Sequence, residues 1–267
     1  MQKNIHYNLT FKLAVDVGFS VECAQQIAWA DQFVDDCIDF EKYGFRTMVN
    51  IAFQTLDCFI PEVQRSVFVP FHFLPGSKDS LIVKRNSELV QKIIQGAMKT
   101  NDRIALGIAL HGFQDSYSHE GFSGVQSDDN AKHKWNLTSM LAPRIGHAEF
   151  GLDPDVVRGK WYNQNGLYIK NNEKFKEAAI ETYRILYQFA KGCYPKFDPV
   201  NVLQEIDEFL EIKDYEKGKE FLFKKSGIDP KNICKRYSNF SPSQYLIENF
   251  VEYSKKQQSL VYEYMSI

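Results

Sequence analysis

Apolar and polar residues repeat with the period of an α-helix along most of this chain. The pattern predicts amphipathic helices over 6–17, 24–40, 80–100, 173–191, 199–211, 215–225 and 241–264. Residues 44–75 lack this period and are predicted to be irregular. No segment shows a convincing strand alternation, so the sequence predicts an all-α fold in the form of a multi-helix bundle.

The run 103–110 differs from these helices because it is apolar nearly all round, which predicts a buried helix. Side-chain oxygens at 100–102 precede the run and can accept hydrogen bonds from its first N–H groups. His111, Asp115 and His119 follow at intervals of four residues. Each step of four turns only about 40°, so the three side chains leave one face of the helix.

Buried imidazoles and carboxylates need a partner, because burying an unpaired polar group costs several kcal/mol. A divalent metal is one such partner, and zinc binds His nitrogen and Asp oxygen at about 2.0–2.2 Å. A single His-x-x-x-Asp pair more often hydrogen-bonds to its neighbours or faces solvent. The third member, His119, on the same face favours a metal site. Glycines at 121 and 124 are predicted to end this helix.

Three further histidines lie in apolar or Gly/Pro-framed segments, namely His6, His72 and His147. His72 stands between two prolines, which predicts a stiff, extended segment that suits a ligand. The sixth histidine, His133, is flanked by lysines in a polar stretch and is interpreted as a surface residue.

Carboxylates accompany these histidines in two places. On the helix predicted over 24–40, Asp31 and Asp35 lie one turn apart beside apolar neighbours, so that one of them can point inward. After His147, the carboxylates are Glu149, Asp153 and Asp155, and the Asp-Pro-Asp sequence is partly explained as turn chemistry. Five of the six histidines thus accompany inward-facing carboxylates, and a multinuclear metal centre explains that distribution with one cause.

Length, charge and cysteine content place few further constraints. The 267 residues fit one domain, with a metal-binding core over 1–165 and a helical C-terminal part over 166–267 packed on it. A net charge of −2 gives no specific signal for a nucleic-acid partner. The five cysteines form no C-x-x-C motif, and their odd number argues against a complete disulfide framework.

Neither a secretory signal nor an apolar run of about 18 residues is found, so we expect a cytoplasmic protein without a transmembrane segment. Export by a route that uses no N-terminal signal would leave no mark in this sequence.

The order of the candidate ligands resembles the zinc-dependent phospholipase C superfamily, which includes the fungal single-strand-specific zinc nucleases. The resemblance covers roughly residues 4–155. It is most specific around His111-x-x-x-Asp115-x-x-x-His119, with Gly107 before it and Gly121 after it. The fit is closer still to a group of bacterial proteins of that all-helical fold with no assigned function.

The resemblance implies a centre of two or three zinc ions, with other divalent metals as alternatives. The implied ligands are His72, His111, Asp115 and Asp35 (or Asp31) for the first ion, His119, His147 and Asp155 for the second, and His6 with a bridging Asp115 for the third. Asp153 and Glu149 are the alternatives to Asp155. Asp35 and Asp115 would be the catalytic carboxylates, Asp35 as fourth ligand or as the base that orients water.

The sequence departs from that superfamily at its beginning. There the third zinc also uses the amine and carbonyl of an N-terminal tryptophan, whereas His6 here follows Met1 by five residues with no tryptophan near. What completes the third site is therefore left open.

The expected activity is metal-dependent hydrolysis of a phosphoester, a phosphodiester above all, in a small-molecule, phospholipid or nucleotide-like substrate. Arg144 and Lys160 are candidates for binding phosphate, with a surface charge as the alternative for each. The rival interpretation is a non-catalytic metal-binding helical protein that binds a ligand or partner.

Overall fold

The chain adopts a predominantly helical fold in the computed structural model, which describes residues 1–49, 56–132, 144–190, 199–227 and 240–266. The α-helices are α1 (Thr10–Asp16), α2 (Val21–Asp36), α3 (Phe40–Tyr43), α4 (Pro61–Val63), α5 (Val69–Phe71), α6 (Glu88–Thr100), α7 (Arg103–Ser118), α8 (Asn171–Phe189), α9 (Pro199–Leu210), α10 (Tyr215–Lys225) and α11 (Gln244–Met265). The strands are β1 (Pro75–Ser77), β2 (Ser80–Val83), β3 (Lys160–Tyr162) and β4 (Tyr168–Lys170). Two π-helical stretches, Asn4–Leu9 and Gln64–Phe68, lead into α1 and α5.

Helix α7 lies at the centre of the fold, and every residue from Ile104 to Ser118 is buried. It packs against α2, α6, α8 and α11, which explains why its sequence is apolar on all sides. Asp102 caps its first turn, accepting hydrogen bonds from the N–H groups of Ile104 and Ala105. The predicted buried helix and its capping signal are both confirmed, and the helix ends at Ser118, directly before His119.

Helix α2 approaches α7 closely at Gly107. A Cβ atom there would lie 2.4 Å from the carbonyl oxygen of Ile27 and 2.7 Å from the Cβ of Ala30, so only glycine fits. Ser20 caps α2 through the N–H of Cys23, as its position before the helix predicts. This packing brings the acidic turn of α2, with Asp31 and Asp35, against the polar face of α7.

The predicted helix over 80–100 is correct only in its second half. Residues 80–83 form β2, which pairs with β1 in an antiparallel hairpin. Asn86 has a φ of +47°, and the Ser87 side chain accepts a hydrogen bond from the N–H of Val90, so the helix begins at Glu88. The capping residue lies inside the amphipathic pattern over 80–100. A prediction from that pattern alone therefore places the start of the helix too early.

The segment before His72 also differs from the prediction. Residues 61–71 are helical rather than irregular, and Pro70 lies inside this stretch. Because Pro70 has no N–H, the carbonyl of Ser66 four residues earlier accepts a hydrogen bond from the side chain of Gln258. His72 ends that turn with φ −115° and ψ −28°, so the extended backbone predicted for it is wrong.

A second hairpin, β3 paired with β4, connects the loop after His147 to α8. Its central residue Trp161 is buried against Phe122 and Phe150. The all-α prediction therefore holds for most of the fold and omits two short hairpins.

A buried ion pair fixes the first helix against the C-terminal part. The Lys12 ammonium contacts the carboxylate of Asp16 and lies 2.5 Å from Glu205 Oε2, with Lys12 and Asp16 almost wholly buried. Asp16 Oδ1 has no hydrogen-bond partner among the described residues. Burial raises the pKa of Asp16 to about 6, although Lys12 opposes the shift.

We expect Gly107→Ala to destabilise the protein by about 1–3 kcal/mol, because the new methyl group meets backbone that cannot move aside. Gly96→Ala is the matched control: Gly96 is exposed in α6 with nothing near its Cβ position, and the change should raise stability by about 0.5–1 kcal/mol. Urea unfolding of both variants measures the difference. A Gly107→Ala variant that is as stable as the wild type, or more stable, would show that α2 and α7 do not meet so closely.

We expect the unfolding free energy to fall between about pH 4 and pH 6 because of Asp16. The pKa of Asp16 is raised in the folded protein, so the folded state binds this proton more tightly than the unfolded state does. The stability gained from this proton is lost as the carboxylate ionises with rising pH. Relative to Asp16→Asn, the wild type should lose up to about 3 kcal/mol across this window. Glu41→Gln, an exposed carboxylate on α3, is the control, and parallel curves for wild type and Asp16→Asn would contradict the expectation.

Candidate metal centre

Imidazoles and carboxylates from separate segments converge beside the C-terminal half of α7. The contributing residues are His6 from the first π-helical stretch, Asp31 and Asp35 from α2, His72 after α5, His111, Asp115 and His119 from α7 and its end, and His147 and Asp155 from the loop before β3. All eight predicted ligands lie in this region. Three groups of their donor atoms are close enough to hold an ion.

The first cluster contains donors from α2, α7 and the turn after α5. His111 Nε2 lies 3.1 Å from His72 Nδ1 and 3.2 Å from Asp115 Oδ2, and the latter two atoms are 3.3 Å apart. Asp35 Oδ1 lies 3.7 Å from His72 Nδ1 and 3.6 Å from His111 Nε2. Four ligand atoms at about 2.0–2.2 Å from a tetrahedral metal are themselves about 3.4 Å apart, so these separations match such a set.

The second cluster lies at the end of α7. Asp155 Oδ1 is 3.2 Å from His119 Nε2, and Asp155 Oδ2 is 3.2 Å from His147 Nε2. The His119 ring stacks on Phe73 with centroids 4.5 Å apart, so its plane is fixed by packing. Two imidazoles therefore face one carboxylate, with the side chains of His147 and Asp155 partly exposed.

Hydrogen bonds on the outer ring nitrogens determine which nitrogen of each histidine faces the carboxylates. His72 Nε2 donates to the carbonyl of Thr47, His111 Nδ1 to that of Asp31, His119 Nδ1 to that of His72, and His147 Nδ1 to that of Gly151, at 2.7–2.9 Å. A nitrogen that donates to a carbonyl carries the ring proton of the neutral imidazole, so the other nitrogen presents a lone pair. In each of these histidines the nitrogen that would bind a metal faces a carboxylate.

His6 and the α-amino group of Met1 complete the region around Asp115. Asp115 Oδ1 lies 2.5 Å from the Met1 nitrogen and 3.2 Å from His6 Nε2. His6 Nε2 is buried and makes no hydrogen bond among the described residues. The Met1 nitrogen is also 3.4 Å from Asp155 Oδ1, so the amine lies between the two carboxylates.

Asp31 lies outside these donors and orients them. Its Oδ1 is 3.0 Å from His6 Nδ1, its Oδ2 accepts from the hydroxyl of Thr10, and its carbonyl accepts from His111. The third group of close donors pairs Asp31 with His6 Nδ1 and His111 Nδ1, but the latter is already bonded to the Asp31 carbonyl. Asp31 and Asp35 therefore both point inward, and Asp35, rather than Asp31, lies beside His72.

The carboxylates attract positive charge strongly in this buried setting. Burial by itself would raise the pKa of Asp115, but the Met1 ammonium, His119 and His111 outweigh it and hold that pKa well below its usual range. Burial opposes the charged form of His111, yet Asp115 and Asp35 raise its pKa to about 10. For His119 burial dominates and lowers the pKa. Perturbed groups gathered in this way are typical of functional sites.

The loop after His147 contributes only one of its three carboxylates. Asp153 is exposed, and the Glu149 carboxylate accepts a hydrogen bond from the N–H of Lys132. Of the proposed phosphate-binding residues, Arg144 pairs with Asp128 and Glu149, and Lys160 is exposed on β3. His133 lies outside the described residues.

Sequence reasoning missed several groups that support the ligands. Gln114 Oε1 accepts from His6 Nδ1 at 2.8 Å, while its amide nitrogen donates to Thr10. A buried glutamine beside Asp115 in an apolar helix was the available signal for this role. The carbonyl of Thr47 gave no signal, because any residue supplies one.

The chain belongs to a family of unknown function, DUF6765, whose model matches residues 1–266. Comparison with curated proteins and with solved structures gave no match. Among the described residues, no helix combines the length and the apolarity that crossing a membrane requires.

We expect the purified protein, without a histidine tag, to contain at least two divalent metal ions per chain by elemental analysis. His119→Ala should lower the content by about one ion, because it removes a donor from the second cluster only. His133→Ala, the histidine predicted to lie in a polar surface stretch, is the matched control. An unchanged content in His119→Ala, or none in the wild type, would contradict the expectation.

Proposed function

We propose that this protein holds two or three divalent metal ions, with zinc as the first candidate, and hydrolyses a phosphoester. A phosphodiester in a phospholipid or nucleotide-like molecule is the substrate class we favour. We further propose that its helices share the architecture of the zinc-dependent phospholipase C type, with α8 to α11 as the additional C-terminal part.

The observation that carries this proposal is the spacing of donors in the first cluster. Five separations among His72 Nδ1, His111 Nε2, Asp35 Oδ1 and Asp115 Oδ2 lie between 3.1 and 3.7 Å, close to the edges of a zinc coordination tetrahedron. Hydrogen bonds among these residues alone would not require two imidazole nitrogens and two carboxylate oxygens to face one point.

The outer hydrogen bonds support the same conclusion. Metal-binding histidines usually donate their second nitrogen to a carbonyl or carboxylate, which fixes the ring and raises its basicity. His72, His111, His119 and His147 all do so. His6 Nε2, which is buried and makes no hydrogen bond within the part of the chain that the structure describes, is the donor that a third ion beside Asp115 would use.

At such a centre, divalent metals supply Lewis acidity and lower the pKa of a water molecule from 15.7 to about 7. The chain's own residues have separate roles. Asp115 directs one oxygen to His72 and the other to His6, and thereby joins the first cluster to His6. Asp35, with 29% of its side chain exposed, can orient a water and accept its proton.

Access to solvent supports catalysis over a closed structural site, because catalytic zinc sites keep a position open whereas structural sites do not. The openings lie at Asp35 and at the His147–Asp155 pair, whose side chains are 17–18% exposed. A phosphoester suits two neighbouring cations, which can stabilise both the attacking and the leaving oxygen.

The near-complete burial of His6, His111 and Asp115 favours the second candidate, a metal cluster kept for stability in a protein that binds a ligand. Hydrolysis separates the two candidates. The zinc-loaded protein should cleave bis-nitrophenyl phosphate, and the non-catalytic candidate requires bound metal without turnover.

We expect Asp35→Asn to lower kcat for this phosphodiester by about 10²–10⁴-fold while the protein remains folded, because the amide cannot accept the proton of water. Asp36→Asn, the next residue on α2 and largely exposed, should leave kcat unchanged. Circular dichroism checks that both variants are folded, and elemental analysis checks that they retain metal. Equal kcat values for wild type and Asp35→Asn would show that Asp35 is not the base that accepts the proton of water.

A further inference from the structure

The first residue of α8, Asn171, is fully buried and makes an unusually complete set of hydrogen bonds. Its side-chain nitrogen lies 2.7 Å from the carbonyl oxygen of Asp153, 3.1 Å from that of Pro154 and 2.8 Å from that of Val156. Its side-chain oxygen accepts from Trp161 Nε1 at 2.9 Å. Carbonyls only accept and an indole N–H only donates, so the orientation of this amide is unambiguous.

The three carbonyls belong to the residues on either side of Asp155, the carboxylate of the second cluster. The backbone at this point is held as well, because the N–H of Asn171 donates to the carbonyl of Gly159 at 3.0 Å. A Cβ atom on Gly159 would lie 2.4 Å from both the Asn171 amide nitrogen and the Asp153 carbonyl oxygen. The loop around Asp155 is therefore wound tightly about one side-chain amide.

Lys174, one turn further along α8, reaches the other side of the same cluster. Its buried ammonium lies 3.3 Å from the carbonyl oxygen of Ser118, the residue before His119, and 5.8 Å from the centre of the Trp161 ring. A cation beside the last carbonyls of α7 is favourable, because these carbonyls lack helical N–H partners. The first turn of α8 thus contacts both the Asp155 loop and the end of the helix that carries His119.

We infer that Asn171 is a positioning residue for the His119–His147–Asp155 metal site, with Lys174 supporting it. The inference rests on the proposed metal centre. It is specific for one cluster, since the histidines of the first cluster are oriented by the carbonyls of Thr47 and Asp31 instead. A lost amide would leave carbonyl oxygens of the loop without their donor and let Asp155 move away from the two imidazoles.

The test is Asn171→Asp in the full-length chain, which keeps the size and the bond from Trp161 but removes both N–H donors. Supporting carboxylate and carbonyl partners of metal ligands typically change affinity by about 10–100-fold when altered. We expect Zn²⁺ affinity to fall by that factor at one site and to be retained at the other. The visible spectrum of the Co²⁺-loaded protein should lose the bands of one site only.

Asn172→Asp is the matched control, because the Asn172 amide nitrogen, as far as the described residues show, donates to Leu210 O at 3.4 Å and Glu211 Oε1 at 3.3 Å and not to the loop around Asp155. Trp161→Phe is the second variant: it keeps the aromatic packing, frees the amide to rotate and should weaken the same site by a smaller factor. If Asn171→Asp does not fold, the Trp161→Phe result decides the matter.

The outcomes distinguish the inference from the function on which it rests. A wild type that binds no metal overturns both. A wild type that binds two or more ions, with all of them retained at full affinity in Asn171→Asp and Trp161→Phe, overturns the positioning role alone. Equal weakening of both sites would also overturn it, because it would reveal a general loss of structure.

Discussion

The buried carboxylate of Asp115 is the constraint on which the rest of this structure depends. One of its oxygens faces the Met1 amine and His6, and the other faces His72 and His111. Removing a carboxylate from water costs several kcal/mol unless positive charge or hydrogen bonds replace the solvent. Four parts of the chain therefore come together around this group: the N-terminal segment, α2, the turn after α5, and α7.

The part of the site that could be predicted from the sequence is the part fixed by local geometry. His111 and Asp115 share a face because a helix returns every four residues, and the apolar run before them indicates burial without any knowledge of the neighbours. The same reasoning placed Asp31 and Asp35 one turn apart on α2. That reasoning could not decide which of the two lies beside His72. The answer depends on the position of α2 along α7, which the close contact between Gly107 and Ile27 fixes.

The choice of Asp155 over Asp153 and Glu149 shows a different limit. All three carboxylates follow His147 within a few residues, and nothing in their local sequence indicates which of them lies beside the two imidazoles. The structure separates them through Asn171, which lies at the start of α8 and binds the carbonyls on both sides of Asp155. Contacts between distant segments of this kind carry no periodic signal. The hairpins β1–β2 and β3–β4 were not predicted for another reason: their strands of three or four residues are too short to show a clear alternation.

The two clusters are not independent of one another. His72 supplies Nδ1 to the first cluster, while its carbonyl accepts the Nδ1 proton of His119, whose Nε2 faces the second. Any shift of the His72 turn therefore reorients a donor in both. The Met1 amine links them again, because it lies between Asp115 Oδ1 and Asp155 Oδ1. Asn171 acts from outside this linkage, on Asp155 alone. The shared residues fix the candidate ligands relative to each other, and α8 fixes the outer, more exposed end. Asp35 and the His147–Asp155 pair are the sides that solvent reaches and that the proposed substrate would approach.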